Sequence, residues 1–195
     1  MQAIGFNEHY GLQTAVLERL KTMTRRAEKG FENLEEGNFC FQKERNQVVL
    51  YGEKGTPIEI IKLRYKIGEI VAIKQCYRDI IDQIDHIQRM YVIGFYSGSK
   101  AWTNKMFVRP DLMPHHIQIT DTKVERLQSI SEEDCLNEGV HYYNCGIDSG
   151  YTFNRARQKF GTASKAFAAL IDKVSGNGTW GRNQFMPAYS FELID

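Results

Sequence analysis

The chain has 195 residues, 42% of them hydrophobic and 25% charged, the proportions of a folded domain and not of a disordered or fibrous chain. Its 25 Lys and Arg are balanced by 24 Asp and Glu, so no global field draws it to nucleic acid or to a membrane, and any such binding must come from local clustering. The length fits one domain, residues 1–195, with an elaboration, and no apolar run approaches the roughly 20 residues that span a bilayer.

Residues 7–23 read as an amphipathic helix capped by Asn7, because Leu12, Val16, Leu20 and Met23 recur at steps of four and three. At about 100° per residue, Lys21 and Thr24 fall about 60° apart on a flank away from that stripe. An amine and a hydroxyl are then offered side by side, with Arg19, Arg25 and Arg26 next to them. Two readings stay open here: a solvated polar face whose basic residues suit a helix C-terminus, or a site. Gly30 and Gly37 punctuate the polar connection that follows. Residues 47–51 and 57–63 read as a hairpin around Gly52-Glu-Lys-Gly55, and residues 69–75 as a strand buried on at least one face. Residues 77–109 read as an insertion, with a helix suggested at Ile80 to Ile87 and a strand-like run at Tyr91 to Tyr96.

A strand pattern restarts over His116 to Leu127 with a break near Asp121, then Ser131-Glu-Glu-Asp134 opens a helix that Gly139 stops. A further helix spans about Thr162 to Val174, closed by Gly176, and Ala188 to Ile194 supplies a last strand. Strands outnumber helices without regular interleaving. That pattern predicts an α+β domain or a small barrel with peripheral helices, not a doubly wound parallel sheet.

Glu138 closes the Ser131 helix, where a carboxylate meets the negative end of the dipole at a cost of about 0.3–1 kcal/mol. A cation such as Lys21 would offset that cost; the alternative is a solvated glutamate. His115 and His116 are adjacent and so point to opposite faces of a strand, a poor chelating pair. Cys40, Cys76, Cys135 and Cys145 form no Cys-x-x-Cys pair, and no apolar leader follows Met1. A reducing cytoplasm is expected, with no metal and no cofactor. Hydrolase and phosphate-loop motifs are absent, and Gly176-Asn-Gly178 follows a helix as a cap loop. A second basic group, Arg155, Arg157, Lys159 and Lys165, lies near Tyr142, Tyr143, Tyr151, Phe153 and Phe160. Aromatics beside a basic groove hold single-stranded nucleic acid in many proteins; core aromatics beside solvated helix faces are the other reading.

Taken together, Lys-Thr-Met-Thr-Arg-Arg (21–26), Tyr-Lys-Ile-Gly-Glu-Ile-Val (65–71), Met113-Pro114, Val-Glu-Arg-Leu-Gln (124–128) with residues 130–140, Ala-Phe-Ala-Ala-Leu-Ile-Asp (166–172) and Gly-Asn-Gly-Thr-Trp (176–180) resemble the ASCH domain. That domain belongs to the PUA-like β-barrel group, and the likeness is to its phage and prophage form. The resemblance spans nearly the whole chain and implies a small barrel that accommodates RNA or a modified nucleoside. Some small ASCH proteins are amidohydrolases that deacetylate N(4)-acetylcytidine with a lysine, a threonine three residues on, and a distant glutamate. Those roles fall on Lys21, Thr24 and Glu138, with Arg19, Arg25 and Arg26 beside them for substrate or nucleic acid. The family carries glycine two residues before the lysine, where this chain has Arg19, and the two do not accept the same backbone angles.

For Thr24 to attack an amide, its proton must be taken. Lys21 can take it only if its pKa falls about three units, equivalent to about 4 kcal/mol. Arg25 and Arg26 push that way and an ionised Glu138 pushes back. Direct contact between Glu138 and Lys21 would cast the lysine as the charged stabiliser of an oxyanion and Glu138 as base. Contact of Glu138 with Thr24 or a water would leave Lys21 as base. A non-catalytic nucleic-acid module, and an interaction protein with a vestigial cleft, are the other functional readings.

Overall fold

The computed structural model describes residues 1–52, 54–146, 148–153 and 158–195. In chain order the elements are β1 (Gln2–Ile4), α1 (Leu12–Leu17), β2 (Met23–Arg25), β3 (Phe39–Gln42), β4 (Gln47–Tyr51), β5 (Pro57–Lys62), β6 (Ile70–Ile73), α2 (Tyr77–Ile80), α3 (His86–Tyr96), β7 (His116–Arg126), α4 (Glu132–Asn137), β8 (Val140–Tyr143), β9 (Gly150–Phe153), α5 (Ala163–Ser175), α6 (Thr179–Arg182) and β10 (Phe185–Leu193). The fold is α+β, as the pattern predicts.

The central sheet runs β1-β6-β7-β10-β2, with β1 parallel to β6 and the other pairs antiparallel. Hairpins β3-β4-β5 and β8-β9 stand apart from it. No closed barrel is found among the described residues. The edge strands β1 and β2 have three residues each and share no ladder. The link between those two sides is a side chain: Arg26 Nη2 donates to the Gly5 carbonyl at 2.7 Å.

Strand β6 shows why two layers can cover one sheet. Val71 and Ile73 face the main core, which also holds Val16, Phe31, Ile117, Phe167 and Tyr189. Ala72, on the opposite pleat, joins a second apolar cluster with Tyr77, Ile80, Val92, Ala101, Val108 and Met113. The 77–109 segment thus builds a small core of its own and seats it on the outer face of β6. Its run Tyr91 to Tyr96, strand-like in the sequence, is helical: Asp85 caps α3 by accepting from the Ile87 and Gln88 amides at 2.8 and 3.0 Å, and a cap fixes the local geometry that β-propensity alone leaves open.

Long strand β7 pairs with β10 along its length, and the irregularity expected near Asp121 is a register shift opposite Ser190 and Phe191. Ser131 caps α4 by accepting from the Asp134 amide, and Thr162 caps α5 by accepting from Lys165. Ile80 is fully buried in the second cluster, so Ile80→Ala should cost about 2–5 kcal/mol. Hydrogen exchange should then quicken in α2 and α3 while β7 and β10 keep their protection. Equal loosening of β7 would show that the insertion has no separable core.

Candidate active site

The first helix is shorter than its periodicity predicts. α1 begins after Gly11, at φ +67°, and ends at Leu17. Arg19 takes φ +60°, its amide donates to the Val16 carbonyl, and the Leu20 amide reaches back to Ala15 at 2.8 Å. These two bonds are a Schellman close, with an arginine where glycine is usual. Arg19 therefore adopts the left-handed backbone that glycine would supply, and its guanidinium donates to the Leu193 carbonyl at 2.5 Å. Leu20 is exposed, and Met23 belongs to β2 and not to a helical stripe. The helix 7–23 is corrected to six residues followed by a strand.

This turn carries Lys21 into the protein. Its ammonium donates to the Met23 carbonyl, the Glu138 carbonyl and Glu138 Oε2, each at 2.7 Å, across 117 positions for the last two. Lys21 and Glu138 are both buried. Burial pulls the lysine pKa below its ordinary value; Glu138 works against that, and Arg26 and Arg25 add to it. The other carboxylate oxygen of Glu138 accepts from Arg25 Nη1 at 3.1 Å.

Arg25 also holds Asp134 at 2.9 Å and pairs with Glu125, while Lys123 pairs with Asp134. Three cations thus face three carboxylates in one chain of contacts from Lys21 to Lys123. Burial pushes Asp134 up, but hydrogen bonds from Lys123 and Arg25 outweigh it and hold the carboxyl below its usual range. The sequence reading missed Lys123, Glu125 and Asp134. Their signal is the pleat of β7, which sets Lys123 and Glu125 on one face, the face that Ala188 and Arg25 share by register.

Thr24 takes the opposite pleat. It is buried and stands in register with Tyr189, which pairs in turn with Thr122. No hydrogen bond joins it to Lys21 or Glu138 among the described residues. The Tyr189 hydroxyl donates to Glu28 at 2.6 Å. Arg26 stacks over Phe6 at 5.5 Å. The structure thus brings Lys21, Glu138 and Arg25 together and places Thr24 on the other side of β2. The side chain of Arg25 has no exposed area, so it offers nothing to a phosphate. Arg19 is the exposed member of the basic segment.

A cavity of about 970 Å³ opens beside the pair, lined by Tyr10, Ala15, Glu18, Leu20, Asn137 and Tyr142 among others, with no Lys or Arg among the described residues of its wall. Gly139, at φ +101°, is part of that wall. A side chain there would stand 3.6 Å from the Lys21 Cδ and 3.3 Å from Leu12. The cavity and the buried lysine are therefore back to back across one glycine. Elsewhere, His115 bonds Gln83 and His116 bonds Asp195, and no metal-binding cluster occurs among the described residues. Lys159 pairs with Asp148 and lies over the Tyr143 ring at 4.3 Å; Arg155 and Arg157 lie outside the described residues. No helix is long and apolar enough to cross a membrane. No family model, curated protein or solved structure matches the chain.

Two outcomes test this geometry. Arg19→Gly should change stability by less than about 1 kcal/mol, because relief of positive-φ strain offsets the lost bond to Leu193, whereas Arg19→Val should cost about 1–2 kcal/mol, because a β-branched side chain resists positive φ most; urea unfolding separates them. Asp134 has a lowered folded pKa, so its contribution is present above pH 3.8 and is lost as the pH falls below that. Stability measured between pH 5 and pH 3 should therefore fall more steeply for the wild type than for Asp134→Asn, and parallel curves would mean that the carboxylate is unpaired.

Proposed function

We propose that the chain is an ASCH-like module of the PUA-like group that takes an RNA base or a modified nucleoside. On this reading it hydrolyses the N-acyl amide of a pyrimidine nucleoside such as N(4)-acetylcytidine, with Lys21, Thr24 and Glu138 as its working groups. One observation carries the reading: an amine and a carboxylate at the positions that match the family's catalytic pair meet at 2.7 Å in a buried setting beside a cavity. The cavity supports an uncharged nucleoside over a phosphate chain, since the described residues of its wall include tyrosines for stacking and carboxylates but no Lys or Arg.

The contacts favour one assignment of roles. Both oxygens of Glu138 are held by cations, which fixes the carboxylate beside Lys21. Lys21 contacts Glu138 directly and donates all three of its ammonium protons, so the lysine is the charged group that stabilises an oxyanion and Glu138 is the acceptor for the Thr24 hydroxyl proton. The position of Thr24 requires that substrate binding bring the hydroxyl to the lysine side of β2.

A second reading rests on that same position. All three protons of the Lys21 ammonium are already bonded and Thr24 faces elsewhere, which suits a network that only clamps α4, in a protein with no catalysis.

Incubation with N(4)-acetylcytidine, followed chromatographically, separates the two. The first reading expects turnover by the wild type, a loss of about 100-fold or more in Thr24→Ala, partial rescue in Thr24→Ser, and little response to salt. Glu138→Gln should lose activity and also about 3–5 kcal/mol of stability. Equal rates in wild type and Thr24→Ala, or no turnover by a folded wild type, would leave the structural clamp.

A further inference from the structure

We propose that α3 is the contact surface of a twofold-symmetric homodimer. The helix turns Val92 into the second cluster. Ile87 is 79% exposed, Met90 65% and Phe95 73%, and Tyr91 is exposed with them. At about 100° per residue, Ile87, Met90 and Gly94 fall opposite Val92, and Tyr91 and Phe95 continue the apolar stripe round one flank. A helix at a protein surface normally puts charge there. A contiguous apolar outer face marks an interaction site.

The face fits a second copy of itself. With two α3 helices antiparallel about an axis between positions 90 and 91, Ile87 falls on the partner's Gly94. Gly94 leaves a gap in the apolar row, open to solvent: nothing stands within 4 Å of where its side chain would begin. In the same register Met90 meets the partner's Tyr91, a favourable sulfur–aromatic pairing. The ends are complementary as well. Asp82 and Asp85 precede α3, whereas Lys100 follows it. Antiparallel packing sets the acidic end of one copy against the basic end of the other, and the helix dipoles oppose. Asp82 is 78% exposed although it also pairs with Arg89, so it remains reachable. A lipid surface would want several free cations around the patch, but Arg78, Arg89, Lys105 and Arg109 are each paired with a carboxylate, which leaves Lys100 at one end.

Sedimentation equilibrium over a concentration series tests the contact, with circular dichroism to check folding. The wild type should dimerise with a dissociation constant on the order of 10 µM. Ile87→Glu and Phe95→Glu should be folded monomers. Gly94→Leu fills the gap with a better helix former, so it should keep the fold and weaken association at least tenfold. A wild type that stays monomeric throughout, or a dimer that survives Ile87→Glu, would overturn the proposal. So would a dimer that Gly94→Leu leaves unchanged, because the register depends on that vacancy.

Discussion

The contact on which the architecture turns is the buried carboxylate of Glu138 held between Lys21 and Arg25. Taking these ions out of water costs several kcal/mol each, and the cost is offset by dense pairing in which Arg25 Nε alone of the network's charged-group nitrogens is buried without a partner among the described residues. Lys21 has three acceptors, Glu138 has a cation on each oxygen, and Arg25 spreads over three carboxylates. A network of this kind tolerates complete replacement better than loss of one member. It also fixes geometry. α4 is tied to β2 and β7 by charges whose directions are specified, whereas an apolar contact would have let it slide.

Two backbone features follow from that constraint. Lys21 must enter the interior immediately after α1, so the helix has to stop abruptly, and Arg19 supplies the left-handed residue that does it. Gly139 passes between the lysine stem and Leu12, where a side chain would crowd Leu12 at 3.3 Å, and it needs positive φ. Strain at Arg19 and the bare backbone at Gly139 are thus consequences of one buried ion pair. The same glycine makes the cavity wall thin where the lysine lies behind it, so occupancy of the cavity and the state of Lys21 are separated by a single peptide.

Much of this was legible in the residues, and what was not has physical reasons. The caps at Ser131 and Thr162, the stop at Gly139, the hairpin of β4 and β5 and the break in β7 were readable because each rests on local chemistry. The pairing of Lys21 with Glu138 was anticipated from the dipole penalty at a helix C-terminus. The helix over residues 7–23 was overextended because Leu20 and Met23 fit a helical period by coincidence, and an arginine hides a left-handed turn that a glycine would have announced. A polar strand as short as β2 carries too few residues for alternation to show. The face occupied by Thr24 could not be read until the segment was known to be a strand: helical spacing puts it beside Lys21, and the pleat puts it opposite Arg25. The expected barrel rested on strand count, which does not say whether the first and last strands meet.

Near-neutral net charge conceals how thoroughly the cations are engaged. Arg25, Lys105, Lys123 and Lys159 all meet carboxylates, and Arg26 is spent on a backbone carbonyl and an aromatic face. The surface also presents apolar and aromatic groups: the tyrosines around the cavity and the outer face of α3. Recognition by such surfaces runs on stacking and burial and is little affected by salt, unlike contact with a phosphate backbone. The basic segment that draws the eye in the sequence is mainly internal scaffolding, with Lys21 and Arg25 buried and Arg26 turned onto Gly5 and Phe6.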